Sequence, residues 1–385
     1  MQPDPDEASS SKTHLAVLWL LPIGMRLADL AALALGGASL SQKLSSGLGE
    51  AIVNWDGHWY LGIAASGYNY LSGTDSNVAF FPAFPLAMRY LGEIASISYA
   101  WAGVAISLAV SIVISPLAYA VVREQLGPKV GRRAAISLAL FPTAFFFVLP
   151  YPEAAFVASV LAAFFFASKS RWWLAGTVGA VASALKVFGV LLAPAFLWMA
   201  LDKANWNLGR LRCRPPALAA AAGIASLTGA ASYCFYLWAR FRNPAAFYSA
   251  QLDGWPHQRS AVFVPVIKTA GELLRPNSYI GGTRPDLYWA YLLDLMTVVA
   301  VVAILVLAVR KLNGTWILFW ASASSLPLLS GTTNSFARYA LSFFPFFAGL
   351  GWILRKKRLR LILWALFAGS QLVLAYLFGR GWWVG

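Results

Sequence analysis

The sequence predicts an all-α polytopic membrane protein. Three observations predict it: 59% of the 385 residues are hydrophobic, only 12% are charged, and the apolar residues gather in runs long enough to cross a bilayer. Soluble domains carry roughly a quarter charged residues. The mean hydropathy of +0.64 points the same way.

Candidate spans begin near residues 15, 98, 134, 153, 172, 217, 289, 315, 339 and 361, judged at ~1.5 Å per residue against a ~30 Å hydrocarbon core. The run 172–201 is long enough for two short passes. Gly189 and Pro194 interrupt it and Lys186 lies in its middle, so it divides into two short or broken helices meeting at Lys186. The total is about eleven spans. The first run, His14 to Leu35, exceeds the ~7–15-residue core of a secretory signal and contains Arg26 and Asp29. It is expected to be an uncleaved helix whose two charges neutralise each other across one turn. Residues 1–13, polar and Ser-rich, are expected to form a disordered cytoplasmic tail, and 14–385 a single transmembrane domain.

The net charge of +15 invites a nucleic-acid reading. Lys and Arg, however, fall mainly in short segments between apolar runs, without a basic face or a recognisable nucleic-acid module. Placing the N-terminus in the cytoplasm makes the cytoplasmic connections 123–133, 168–171, 202–216, 310–314 and 355–360, and every one is basic. The long segments 36–97 and 241–288 then face outside. They still hold Lys43, Arg89, Arg242, Arg259, Lys268, Arg275 and Arg284, with Arg240 and Arg338 at outer helix ends. External cations beside apolar sequence suit either lipid head groups or an anionic ligand. No internal repeat is evident, which weakens a transporter built from inverted repeats.

The segment 54–89 packs Trp55, Trp59, Tyr60, Tyr68, Tyr70, Phe80, Phe81 and Phe84 around one Trp-Asp-Gly turn, without an unbroken apolar run. It is expected to be a loop at the membrane surface, held there by its aromatics. Asp56, set between Trp55 and Gly57 and beside His58, would be partly desolvated and suited to accept a hydroxyl proton; an Asx turn is the alternative. Arg89 follows a Pro-spaced stretch that forbids regular helix until about Pro85, and suits a phosphate contact or a snorkelling anchor. In 141–153, Pro150 and Pro152 flank Tyr151 and leave Glu153 at a helix start, on the same side as Asp56. Lys186 sits in an apolar run where an ionised group is costly unless water or an anion meets it, or unless it reaches the interface. Arg338 opens a span from the outer side. His14, His58 and His257 are too scattered for metal ligation, and Cys213 and Cys234 form neither a metal site nor a disulfide framework, so no metal or cofactor is implied.

Trp55-Asp56-Gly57, Tyr60, Ile63-Ala64 and Gly67-Tyr68, followed by Phe80-Phe81-Pro82, Phe84-Pro85 and Arg89, resemble the PIG-V family of mannosyltransferases and its bacterial relatives. Phe141-Pro142 through Pro150-Tyr151-Pro152-Glu153, Leu185-Lys186 with Gly189, Leu192 and Pro194, and Arg338-Tyr339 with Phe344-Pro345 extend the resemblance over most of the chain. The resemblance implies the GT-C class of multi-span glycosyltransferases, which take sugar from a polyprenyl-phosphate carrier at the extracytoplasmic face. It implies Asp56 as the essential acid of the first outer loop. Two positions depart from the family: Pro152 replaces a hydroxyl residue, and Lys186 stands where relatives often have Arg, a point charge in place of a fork.

The implied reaction is inverting displacement at an anomeric carbon of polyprenyl-phosphate-mannose by the hydroxyl of a glycolipid or protein acceptor. Asp56 and Glu153 are the catalytic candidates, and Lys186, Arg338 and Arg89 the donor-phosphate candidates. Trp55, His58, Tyr60, Tyr68, Tyr151 and Trp255 are candidate substrate contacts, and 241–288 is a weaker candidate for acceptor contact or a cap. The rival from another class is a glycolipid transporter without catalysis; a second is the same fold with another prenyl-linked sugar. Composition hints at a bacterial plasma membrane.

Overall fold

The computed structural model describes residues 5–41, 49, 51–255, 258–275 and 285–384. Every regular element among them is helical: α1 Pro5–Ser41, α2 Asp56–Ser66, α3 Ala83–Ala95, α4 Tyr99–Leu126, α5 Pro128–Ala139, α6 Glu153–Ser168, α7 Trp172–Leu185, α8 Leu192–Lys203, α9 Arg214–Ser226, α10 Thr228–Phe241, α11 Ala246–Gly254, α12 Val264–Leu273, α13 Pro285–Ala308, α14 Gly314–Leu329, α15 Phe336–Tyr339, α16 Phe344–Ile353 and α17 Lys357–Gly379, with short 3-10 turns between some of them.

Five described helical segments are long and apolar enough to cross a membrane: Ala16–Ser39, Tyr99–Leu126, Arg214–Phe241, Asp286–Lys311 and Lys357–Gly379. A sixth arises if Phe336–Ser342 and Phe344–Ile353, bent by 85°, count as one. The expected eleven are therefore not seen as full-length spans. Apolar composition alone does not say whether a helix meets lipid or protein. Helix α6 buries ten of its residues, and α7, with 14 residues, reaches only ~21 Å.

The expected surface loop 54–89 contains α2 and the first half of α3. Gly57, Tyr60, Ile63 and Ala64 are the buried residues of α2, one helical face concealed among Gly, His and Trp. Helix α3 starts at Ala83, with Pro85 in its first turn, where a missing N–H costs nothing. Helix α1 runs from Pro5 to Ser41 and so takes in part of the polar N-terminal stretch. Extending an existing helix needs no new nucleus.

Arg26 and Asp29 do pair, Nη1 to Oδ2 at 3.2 Å. The pair is not isolated. Gln371 of α17 donates to both Asp29 oxygens at 2.9 and 2.8 Å. Arg26 donates to the carbonyls of Ala139, at 2.7 Å, and Ala144. Helix α1 is thereby bonded to the segment that leads into Glu153. A buried guanidinium needs such partners, because an unpaired one would lose its hydration for nothing.

Candidate functional site

Asp56 opens α2. The preceding Trp55 has φ 53, a left-handed conformation costly for a large side chain and maintained only by its surroundings. Those surroundings are visible: Trp55 Nε1 donates to Trp382 O at 3.2 Å, its ring meets Trp383 edge-on at 4.9 Å, and Asn54 Nδ2 donates to Phe378 O at 2.8 Å. Tyr151 OH donates to Asn54 O at 2.6 Å. A Cβ at Gly57 would meet the Tyr151 ring at 3.3 Å, so glycine lets the ring approach.

Glu153 is the first residue of α6, beside the unsatisfied N–H groups of that helix end. Lys186 lies at the break between α7 and the 3-10 turn Val187–Leu191, in extended conformation. The chain turns back there onto α7 so tightly that a Cβ at Gly189 would collide with the backbone of Ala182 and Ser183. Arg338 lies in α15, after Ser335 with φ 63. Thr143 Oγ1 donates to Ala337 O at 2.8 Å, and Asp294 Oδ1 accepts from Ala337 N at 2.8 Å. The backbone on the N-terminal side of Arg338 is thus held by two other segments.

These four side chains meet. Arg338 Nη1 lies 2.8 Å from Asp56 Oδ2, Lys186 Nζ lies 2.8 Å from Glu153 Oε1, and Arg338 Nε lies 3.6 Å from that same Oε1. Aromatic rings enclose the cations: Tyr339 is 5.1 Å from Lys186, and Phe146 5.3 Å from Arg338. Glu153 and Arg338 are 3% and 5% exposed. Two acids and two bases form one charge-neutral cluster. Glu153 Oε2 and Arg338 Nε have no hydrogen-bond partner among the described residues.

The cluster lies on the wall of a cavity of about 550 Å³, lined also by Tyr60, Phe80, Phe188, Phe247, Gln251 and Asn334. That volume and its mixed aromatic and polar lining suit a small organic ligand. Among the described residues, no three His, Cys, Asp or Glu side chains stand together as metal ligands.

Of the candidate catalytic, phosphate-binding and substrate-contact residues, Asp56, Tyr60, Glu153, Lys186 and Arg338 line the cavity, and Phe80, Phe81 and Arg259 from the outer segments join them. Arg89 pairs with Glu93 at 2.9 Å on the exposed face of α3, one turn away on its own helix, and that pairing raises its pKa. His58 is exposed, one residue beyond the reach of the α2 face that is buried. Trp55 and Tyr151 hold the Asp56 turn from behind. Tyr68 donates to Phe80 O at 2.8 Å, and burial pushes its phenol up. Trp255 packs its ring on Trp59 and Phe80, both 5.7–5.8 Å away, and acts as a wall behind Phe80. His257 lies outside the described residues. In the outer segment, Gln251 reaches the cavity, whereas Asp253 Oδ2 accepts from Gly73 N at 3.0 Å.

Asp294 escaped sequence reasoning. It is 1% exposed, and an acid inside the apolar run Leu292-Leu293-Asp294-Leu295 was a readable signal, since such a group seldom persists without a role.

No protein family model matches the chain, and no curated protein matches it. Among solved structures, it is similar to oligosaccharyltransferase AglB from Archaeoglobus fulgidus in complex with an inhibitory peptide and a dolichol-phosphate (TM-score 0.41, 11% identity, 94% of this chain and 56% of that one). It is also similar to the oligosaccharyltransferase of that archaeon tethered to an acceptor peptide containing the NVT sequon (TM-score 0.42, 14% identity, 94% and 55%). The chain spans about half the length of these structures.

Proposed function

We propose that the protein is a membrane glycosyltransferase. It moves a sugar from a polyprenyl-phosphate carrier to a hydroxyl of a lipid- or protein-linked acceptor at the extracytoplasmic face. By the resemblance of 55–89 to the PIG-V family, the sugar is mannose.

The observation that carries this reading is the state of Asp56 at the cavity wall. Its Oδ2 is engaged by Arg338 at 2.8 Å, while its side chain stays 19% exposed on the cavity wall, where a hydroxyl can reach it. The acceptor oxygen attacks the anomeric carbon as its proton passes to Asp56. The bond between that carbon and the phosphate oxygen breaks, and its electron pair leaves with the polyprenyl phosphate. That leaving group is weakly basic and needs little protonation. Arg338 orients the acid, and Lys186 keeps Glu153 ionised beside it. The unpartnered Glu153 Oε2 is suited to accept from a sugar hydroxyl.

The test is transfer of label from radiolabelled polyprenyl-phosphate-mannose to membrane lipids and proteins by the purified protein and its Asp56→Asn variant. Labelled product from the parent, with a loss of about 10²-fold or more in the variant, is expected for a general base. Equal labelling by both proteins removes Asp56 from the mechanism. A glycolipid transporter would tolerate the near-isosteric Asn.

A further inference from the structure

The charge balance of the cavity separates Arg259 from every other residue on its wall. The ionised lining residues among those described are Asp56, Glu153, Lys186, Arg338 and Arg259. The first four neutralise one another through contacts at 2.8 Å. Arg259 has no acid partner among the described residues. An anion entering the cluster itself would have to displace a carboxylate from each cation it met and lie beside both carboxylates. At Arg259 it meets an uncompensated charge.

The side chain is aimed and its backbone held. Nε donates to Tyr248 OH at 3.0 Å, which leaves the two terminal nitrogens, a pair of parallel donors, without described partners. On either side of it, Gln258 N donates to Ser330 O at 2.8 Å and Ser260 N to Leu329 O at 3.1 Å. The approach is close enough that a Cβ at Gly331, already at φ +83, would lie 2.6 Å from Gln258 O. Exposed apolar side chains lie on the same wall or close by in the chain: Leu252 and Leu329 are 37% and 46% exposed, and Phe263 and Val264, four and five residues after Arg259, are 64% and 44% exposed. Leu252 and Leu329 also line the cavity. An exposed cation on a cavity wall that also carries exposed leucines matches a phosphate esterified to a long hydrocarbon chain.

Building on the glycosyltransferase reading, we propose that Arg259 binds the phosphate of the polyprenyl-phosphate lipid at the cavity wall, and that Lys186 and Arg338 serve the carboxylates instead. The prenyl chain then runs out over Leu252, Phe263 and Leu329, and the sugar points inward to Asp56.

The experiment measures binding of undecaprenyl phosphate, undecaprenol and phosphatidylglycerol to the purified full chain in nanodiscs, for the parent and Arg259→Gln. Arg259 is exposed, so the variant is expected to fold. The expected result is preference of the parent for undecaprenyl phosphate over the alcohol, and a roughly ten-fold weaker affinity for the phosphate alone in the variant, the worth of one charge-assisted hydrogen bond. An unchanged affinity in the variant overturns the assignment to Arg259 and leaves the donor class standing. An equal loss for phosphatidylglycerol makes Arg259 a general head-group contact and also overturns it. A parent that does not distinguish the phosphate from the alcohol overturns both the assignment and the donor class.

Discussion

Arg338 binds Asp56 through a 2.8 Å contact between Nη1 and Oδ2, joining the first turn of α2 to the short helix α15 near the other end of the chain. Asp56 directly follows Trp55, a non-glycine residue at φ 53, and Arg338 lies three residues after another, Ser335 at φ 63, which opens α15. Both halves of the pair are thus presented by backbones that only tertiary contacts maintain. Such local cost is common where geometry must be set closely.

Asp294 is expected to act on the site through Arg338. Its Oδ1 accepts from Ala337 N, a bond that Asn can make and Ala cannot. Asp294→Ala should lower transfer at least about ten-fold, and Asp294→Asn should recover most of it. If Asp294 works by positioning Arg338, its Ala substitution should add little to Arg338→Ala in a double-mutant cycle. Additive losses would make Asp294 a stability residue only.

Glu153 and Lys186 should be a structural pair as well as part of the site. Glu153→Ala leaves the Lys186 charge, 12% exposed, without its carboxylate, at an expected loss of about 3 kcal/mol. Glu153→Gln combined with Lys186→Met removes both charges and should restore much of that stability without restoring transfer. Thermal unfolding in detergent, followed beside the transfer assay, separates the two effects.

Arg89→Ala should leave transfer within about two-fold of the parent, because an exposed i,i+4 pair contributes little. Its partner is Glu93 on the same helix face. A loss comparable to that of Asp56→Asn would return Arg89 to the site.

The site was legible where chemistry is costly. Asp56, Glu153, Lys186 and Arg338 stand out in the sequence because ionised groups among apolar residues demand partners, and the breaks that present Glu153 and Lys186 follow from Pro150, Pro152 and Gly189. Asp294 carried the same signal and was passed over. What was not legible was the pairing: nothing in linear spacing says that Arg338 meets Asp56 or that Lys186 meets Glu153. The candidate substrate contacts Trp55, Tyr68, Tyr151 and Trp255 pack against other segments rather than lining the cavity; aromatic rings serve equally as ligand platforms and as packing.

The amino-acid sequence by itself determined an apolar, all-helical chain and which helices break, because composition, proline and glycine act locally. Only the tertiary structure decided how long each apolar helix runs and how much of it is buried. It also decided that 54–89 contains helices and that Arg89 faces away from the cavity. Each of these depends on what a given face packs against, and that partner lies far along the chain. The neutrality of the four-residue cluster, and with it the distinct charge of Arg259, exists only once those distant segments have met.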